Sequence, residues 1–207
     1  MNLETTLIIM DHVGVFFFAV SGLIAAAERN LDVLGGFIIA FITALGGGTV
    51  RDLLLNTEIA WLFSYSHMIT VIGASIVGIL FSKSMRRLRK TFFIFDTIGI
   101  SLFTILGVQK SLEYDHLAIT AIFLGMISAT FGGVIRDVLC NEIPLIFRKE
   151  IYAIPCLTGA SVYILGSYLG VVHPQVLFFV SIAVIGVFRT LAVYYSWKVP
   201  LLKELEN

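Results

Sequence analysis

Charge is scarce in this chain: only 14% of its 207 residues are Asp, Glu, Lys or Arg, and the 14 basic and 14 acidic side chains cancel. That balance gives nucleic acid nothing to bind electrostatically, so no nucleic-acid partner is expected. Cysteine is nearly absent. Cys140 and Cys156, with fifteen residues between them, fit no metal or redox spacing and read as packing thiols. There is no H-E-x-x-H, and the glycine-rich GGGTVRD lacks the Lys-Ser/Thr ending of a phosphate loop, which argues against an intramembrane enzyme. No catalytic residue, resident metal or cofactor is expected. The N-terminus, MNLETTLIIMDH, has neither a basic n-region nor a small-residue cleavage site, so the first apolar stretch is expected to stay as a membrane span.

What is abundant is apolar sequence, 58% of the chain, with a mean hydropathy of +0.96. A helix needs about 20 mostly apolar residues to cross the hydrocarbon of a bilayer. Seven stretches meet that need, near 7–27, 33–56, 66–82, 91–109, 117–141, 151–172 and 175–196. Their apolar runs are continuous rather than alternating, which favours helices over a barrel. The expected fold class is an all-α membrane protein.

Lysine and arginine then set direction. Arg29 follows span one, Lys83, Arg86, Arg87, Arg89 and Lys90 follow span three, Arg148 and Lys149 follow span five, and Lys198 and Lys203 follow span seven, against Lys110 alone on the opposite side. The positive-inside rule puts the N-terminus outside and the C-terminus in the cytoplasm. The run KSMRRLRK reads as a topology-setting loop or as an attraction for anionic membrane lipid.

The chain also contains itself twice. Displaced by 85 positions, Asp11, Gly14, Phe18, Gly22, Gly47, Gly48, Arg51, Asp52, Leu54 and Asn56 fall on Asp96, Gly99, Phe103, Gly107, Gly132, Gly133, Arg136, Asp137, Leu139 and Asn141. Repeat one covers about 7–82 and repeat two about 91–172, with an extra helix at about 175–196, all within one membrane domain, 1–207. Three spans per repeat is an odd number, so the second copy enters the membrane upside down. That is a 3+3 inverted-topology repeat plus a seventh helix.

Gly46, Gly47 and Gly48 in span two, and Gly132 and Gly133 in span five, weaken their helices by about 1 kcal/mol each relative to alanine. They predict a kink or local unwinding, or else close packing between helices. Freed carbonyls there would have to be buried or line a wet cavity, where a cation could meet them. Three residues on, Arg51-Asp52 and Arg136-Asp137 carry charge into the membrane, which costs at least about 2.5 kcal/mol per charge unless it is paired. The expected pairing runs between repeats, Arg51 with Asp137 and Arg136 with Asp52, and serves structure, ion passage or both. Asp11 and Asp96 are candidate acidic vestibules, or helix caps. Thr43, Thr49, Ser128 and Thr130 offer hydroxyls for a pore or for kinked backbone. His12, His67, His116 and His173, near span ends, read as interfacial residues rather than ligands.

GGGTVRDLL in span two and FGGVIRDVL in span five, on a duplicated seven-span chain, resemble the prokaryotic branch of the trimeric intracellular cation (TRIC) channel family. Bacterial relatives with the same duplicated domain carry a glycine-transporter label. The resemblance implies a homotrimer in an inner (plasma) membrane, with one potassium-permeable pore per subunit lined by spans two and five. The permeant monovalent cation would be its only ligand. It carries pore positions over to Gly46, Gly47, Gly48, Arg51 and Asp52, and to Gly132, Gly133, Arg136 and Asp137. Phe131 departs from a full triple glycine. Calcium regulation is not implied, because the lysine motif of the animal channels is missing. The alternative is a secondary transporter of a small amino acid such as glycine.

Overall fold

A computed structural model describes residues 3–81, 88–170 and 172–200. Among them run eight α-helices: α1 (Leu3–Glu28), α2 (Val33–Leu54), the four-residue α3 (Ala60–Phe63), α4 (Tyr65–Phe81), α5 (Leu88–Glu113), α6 (Ala118–Leu139), α7 (Ala153–Leu169) and α8 (Pro174–Tyr194), with one 3₁₀ turn at Leu145–Phe147. Five segments, 3–28, 33–54, 90–113, 118–139 and 174–194, are long and apolar enough to cross a membrane. The other two expected spans coincide with shorter apolar helices, 65–80 and 153–169. The span expected at 151–172 is trimmed at its C-terminal end by Gly170, whose φ of 62° is a left-handed stop. Most of the basic loop that sets the predicted orientation, including Lys83, Arg86 and Arg87, lies outside the described residues, as does Lys203.

The core forms where α1, α2, α5 and α6 meet. Its contacts are exchanged by the 85-residue displacement. Phe18 of α1 and Phe103 of α5 stack on one another, with centroids 5.3 Å apart and planes 5° apart. Each ring is seated by the other copy's glycine: a β-carbon on Gly14 would meet the Phe103 ring at 2.9 Å, and one on Gly99 would overlap Phe18. Gly22 fits against Thr43 and Ala40 of α2, while its equivalent Gly107 fits against Ser128 and Gly125 of α6. Equivalent residues of the two copies make equivalent contacts. The D-x2-G-x3-F-x3-G pattern is therefore a packing code.

The asparagine that ends the second motif is a helix stop. Asn56 and Asn141 have φ of 54° and 55°, a left-handed conformation that asparagine adopts more readily than most residues. Behind each, an amide reaches back to the motif's aspartate carbonyl: Thr57 to Asp52 at 2.9 Å, and Glu142 to Asp137 at 2.8 Å. Both Arg-Asp pairs thus lie in the last turn of their helices, where arginine complements the exposed carbonyls.

Candidate functional site: two buried charge clusters flanking a glycine crossing

Helices α2 and α6 cross at their glycines. A β-carbon on Gly47 would overlap the Ser128 carbonyl oxygen, and one on Gly132 would overlap that of Thr43. Gly46 faces Gly132 with 3.7 Å available for a β-carbon. Both helices run uninterrupted through these positions, so the expected local unwinding is absent. The missing side chains admit a neighbouring backbone instead, and the carbonyls stay in their helices. Thr43, Thr49 and Thr130 return their hydroxyls to carbonyls one turn back, at 2.6, 2.8 and 2.9 Å. Gly48 and Gly133 leave room for their own helix's arginine, with Arg51 Nη2 at 3.8 Å and Arg136 Nη2 at 3.4 Å from a built β-carbon.

The arginines do not exchange partners between repeats. Arg51 Nε donates to Asp52 Oδ1 at 2.7 Å, and Arg136 Nε donates to Asp137 Oδ1 at 2.8 Å. The expected pairs Arg51–Asp137 and Arg136–Asp52 are therefore replaced by neighbours in sequence. Adjacent helix positions diverge by about 100°, but an arginine stem is long enough to curl back across that angle. From the arginines, what crosses between repeats is a hydroxyl contact: Arg51 Nη1 donates to Ser128 Oγ at 3.4 Å, and Arg136 Nη1 donates to Ser21 Oγ at 3.0 Å.

The two clusters differ in their third member. Around Asp52, Lys110 Nζ of α5 donates to Oδ1 at 2.9 Å, and Trp61 Nε1 donates to Thr49 Oγ1 at 2.9 Å. In the other half, Asp96 receives Arg136 Nη1 at 2.9 Å and Arg189 Nη2 of α8 at 2.7 Å. Phe92 lies over the Arg136 guanidinium, and Tyr152 and Phe93 over that of Arg189. Asp137 Oδ2 also accepts the Leu145 amide at 3.0 Å.

Asp96 is fully buried in the third turn of α5, so it is neither a vestibule nor a cap. Two guanidinium groups supply the compensation a buried carboxylate requires. Asp11, its equivalent, lies well inside α1 and bonds His67 Nε2 at 2.7 Å, with 29% of its side chain exposed. It lines a cavity of about 30 Å³ shared with Gly48, Thr49, Arg51, Asp52, Trp61 and His67. A larger cavity, about 770 Å³, opens beside the second cluster along Arg29, Lys90, Phe93, Asp137, Glu142 and Arg189. Ion pairs of Glu142 with Arg29 and Arg148 rim it.

Sequence reasoning missed Ser21, Lys110, Tyr152 and Arg189 as partners. The duplication held one signal for them, since His67 and Tyr152 are equivalent positions and each lies against its half's cluster. Cys140 and Cys156 are buried free thiols, as their spacing indicated.

A family model described as "Glycine transporter" matches residues 8–83 and again 93–168, two segments separated by the same 85-residue displacement. The inner membrane protein YadS of Escherichia coli K12 is 32% identical over 200 residues, covering 96% of this chain and 97% of that protein. The membrane protein YvgT of Bacillus subtilis is 30% identical over 194 residues, covering 93% and 94%. Both carry the family designation UPF0126. Among solved structures, a chain from work on conductance through TRIC cation channels superposes with a TM-score of 0.84 at 34% identity, over 97% of both chains. A TRIC trimeric intracellular cation channel orthologue from Rhodobacter sphaeroides gives 0.88 at 28% identity, over 93% of this chain and 99% of that one. The chain is an integral membrane protein of the UPF0126 family, built from two copies of the glycine-transporter domain on the fold of the prokaryotic TRIC channels.

Proposed function

We propose that this protein is a passive cation channel that conducts potassium through each subunit of a homotrimer. The observation that carries the reading is its likeness, over more than nine-tenths of the chain, to solved TRIC channels at 28–34% identity. The path runs beside the α2–α6 crossing, between the Arg51 and Arg136 clusters. Gly46, Gly47, Gly48, Gly132 and Gly133 set how closely the two helices approach. Thr43, Thr49, Ser128 and Thr130 supply oxygens along them. The two guanidinium groups form electrostatic barriers whose carboxylate partners lower the cost of a passing cation.

The repeats lie inverted about an axis in the membrane plane, with the N-terminus outside, the Arg51 cluster toward the outer face and the Arg136 cluster toward the cytoplasm. No cofactor takes part. Coupled glycine transport is the competing reading, supported by the family model's description. A substrate carboxylate would be held by an arginine or by a helix N-terminus; Arg51, Arg136 and Arg189 each already face a carboxylate of this chain, which favours the channel.

Purified protein in planar bilayers is the test. Discrete unitary currents reversing with the potassium gradient are expected. Silent bilayers with insertion verified, together with saturable glycine uptake into proteoliposomes, would replace the channel reading with the transporter.

A further inference from the structure

We infer that Asp11, His12 and His67 form a binding site for a divalent transition metal ion, between α1 and α4 beside the Arg51 cluster. One ligand atom from each of the three lies within 4.8 Å of the other two. His12 Nδ1 donates to the Ile8 carbonyl at 2.9 Å, which fixes the ring and leaves Nε2 as the nitrogen to meet a metal. A backbone carbonyl on the far nitrogen is the usual outer support of a metal-bound histidine. The His12 and His67 rings stack with centroids 4.8 Å apart and planes 26° apart, so the two imidazoles share one side of the helix pair.

Asp11 Oδ2 and His67 Nε2 are 2.7 Å apart, joined by a proton. A metal ion takes that proton's place by widening the gap to the separation of two ligands about 2 Å from a common centre. Two imidazoles and one carboxylate suit zinc or its first-row neighbours rather than calcium or magnesium, which prefer oxygen. Three protein ligands leave a fourth position for water. Asp11 and His67 also line the small cavity shared with Thr49 and Trp61. The second repeat does not reproduce the set: Thr97 stands at the place of His12, and Tyr152 at that of His67.

Equilibrium dialysis of the purified full-length protein against zinc chloride tests the site without reference to conduction, so its outcome is separate from that of the channel reading. Wild type is expected to retain one zinc ion per chain. His12→Ala and His67→Ala should each weaken retention about tenfold or more, while His116→Ala leaves it unchanged. Because His67→Ala also removes the Asp11 hydrogen bond, thermal midpoints are measured with and without zinc. Zinc should raise the midpoint of wild type and His116→Ala only. No retention by wild type, or equal retention by the His12→Ala/His67→Ala double variant, overturns the site.

Discussion

One carboxylate, Asp96, holds two guanidinium groups out of water, whereas its equivalent Asp11 holds one partly exposed imidazole. The same residue type at the same place in each copy therefore carries very different energies. Asp96→Asn leaves Arg189 buried with a neutral partner and Arg136 with Asp137 as its one carboxylate, and is expected to cost about 3–5 kcal/mol, as breaking a buried ion pair does. Asp11→Asn should cost no more than about 1 kcal/mol, in keeping with a partly exposed pair. Thermal unfolding in one detergent, with both variants run side by side, measures the difference; equal losses would refute it. The two aspartates were legible in the sequence, since the duplication singles them out. Their partners were not, because Arg189 lies outside the repeat and side-chain reach decides whether an arginine meets its neighbour or a distant residue.

The α2–α6 crossing shows how one glycine pattern can mean either weakness or closeness. In these helices it means closeness: the hydrogen-bonded ladder continues and the neighbour's backbone occupies the space. Gly47→Ala and Gly132→Ala are each expected to destabilise by about 1–3 kcal/mol through overpacking. Gly73→Ala on α4, where a β-carbon meets nothing within 4 Å, should be neutral or stabilising by up to about 1 kcal/mol. Chemical denaturation of the three variants checks the ordering. Helix positions were readable from hydropathy because the bilayer demands long apolar runs. The crossing was not, since a helix's own sequence does not say which carbonyl lies opposite a glycine. Asn56 and Asn141 lie between these cases: the motif flagged them, and their role as stops followed only from the backbone.

At the scale of the molecule, the proposed inversion of the repeats places equivalent positions on opposite faces of the membrane. Glu58→Cys and Ile143→Cys, equivalent and both exposed, provide the check in a chain with Cys140 and Cys156 replaced by alanine. An impermeant thiol reagent added outside intact cells should modify position 58 and spare 143; modification of both from one side would remove the inversion. The duplication and overall architecture were legible because matched residues recur at a single displacement. The difference between the two charge clusters was hidden, because α8 contributes to one of them alone. The reciprocal seating of Gly47 on the carbonyl of Ser128 and of Gly132 on that of Thr43 has an evolutionary corollary. Such an interface is what a symmetric pair of separate subunits would possess, and there one substitution would strike the contact twice. In a duplicated chain it strikes once, so each copy is free to hold its own partners, as Asp11 and Asp96 do.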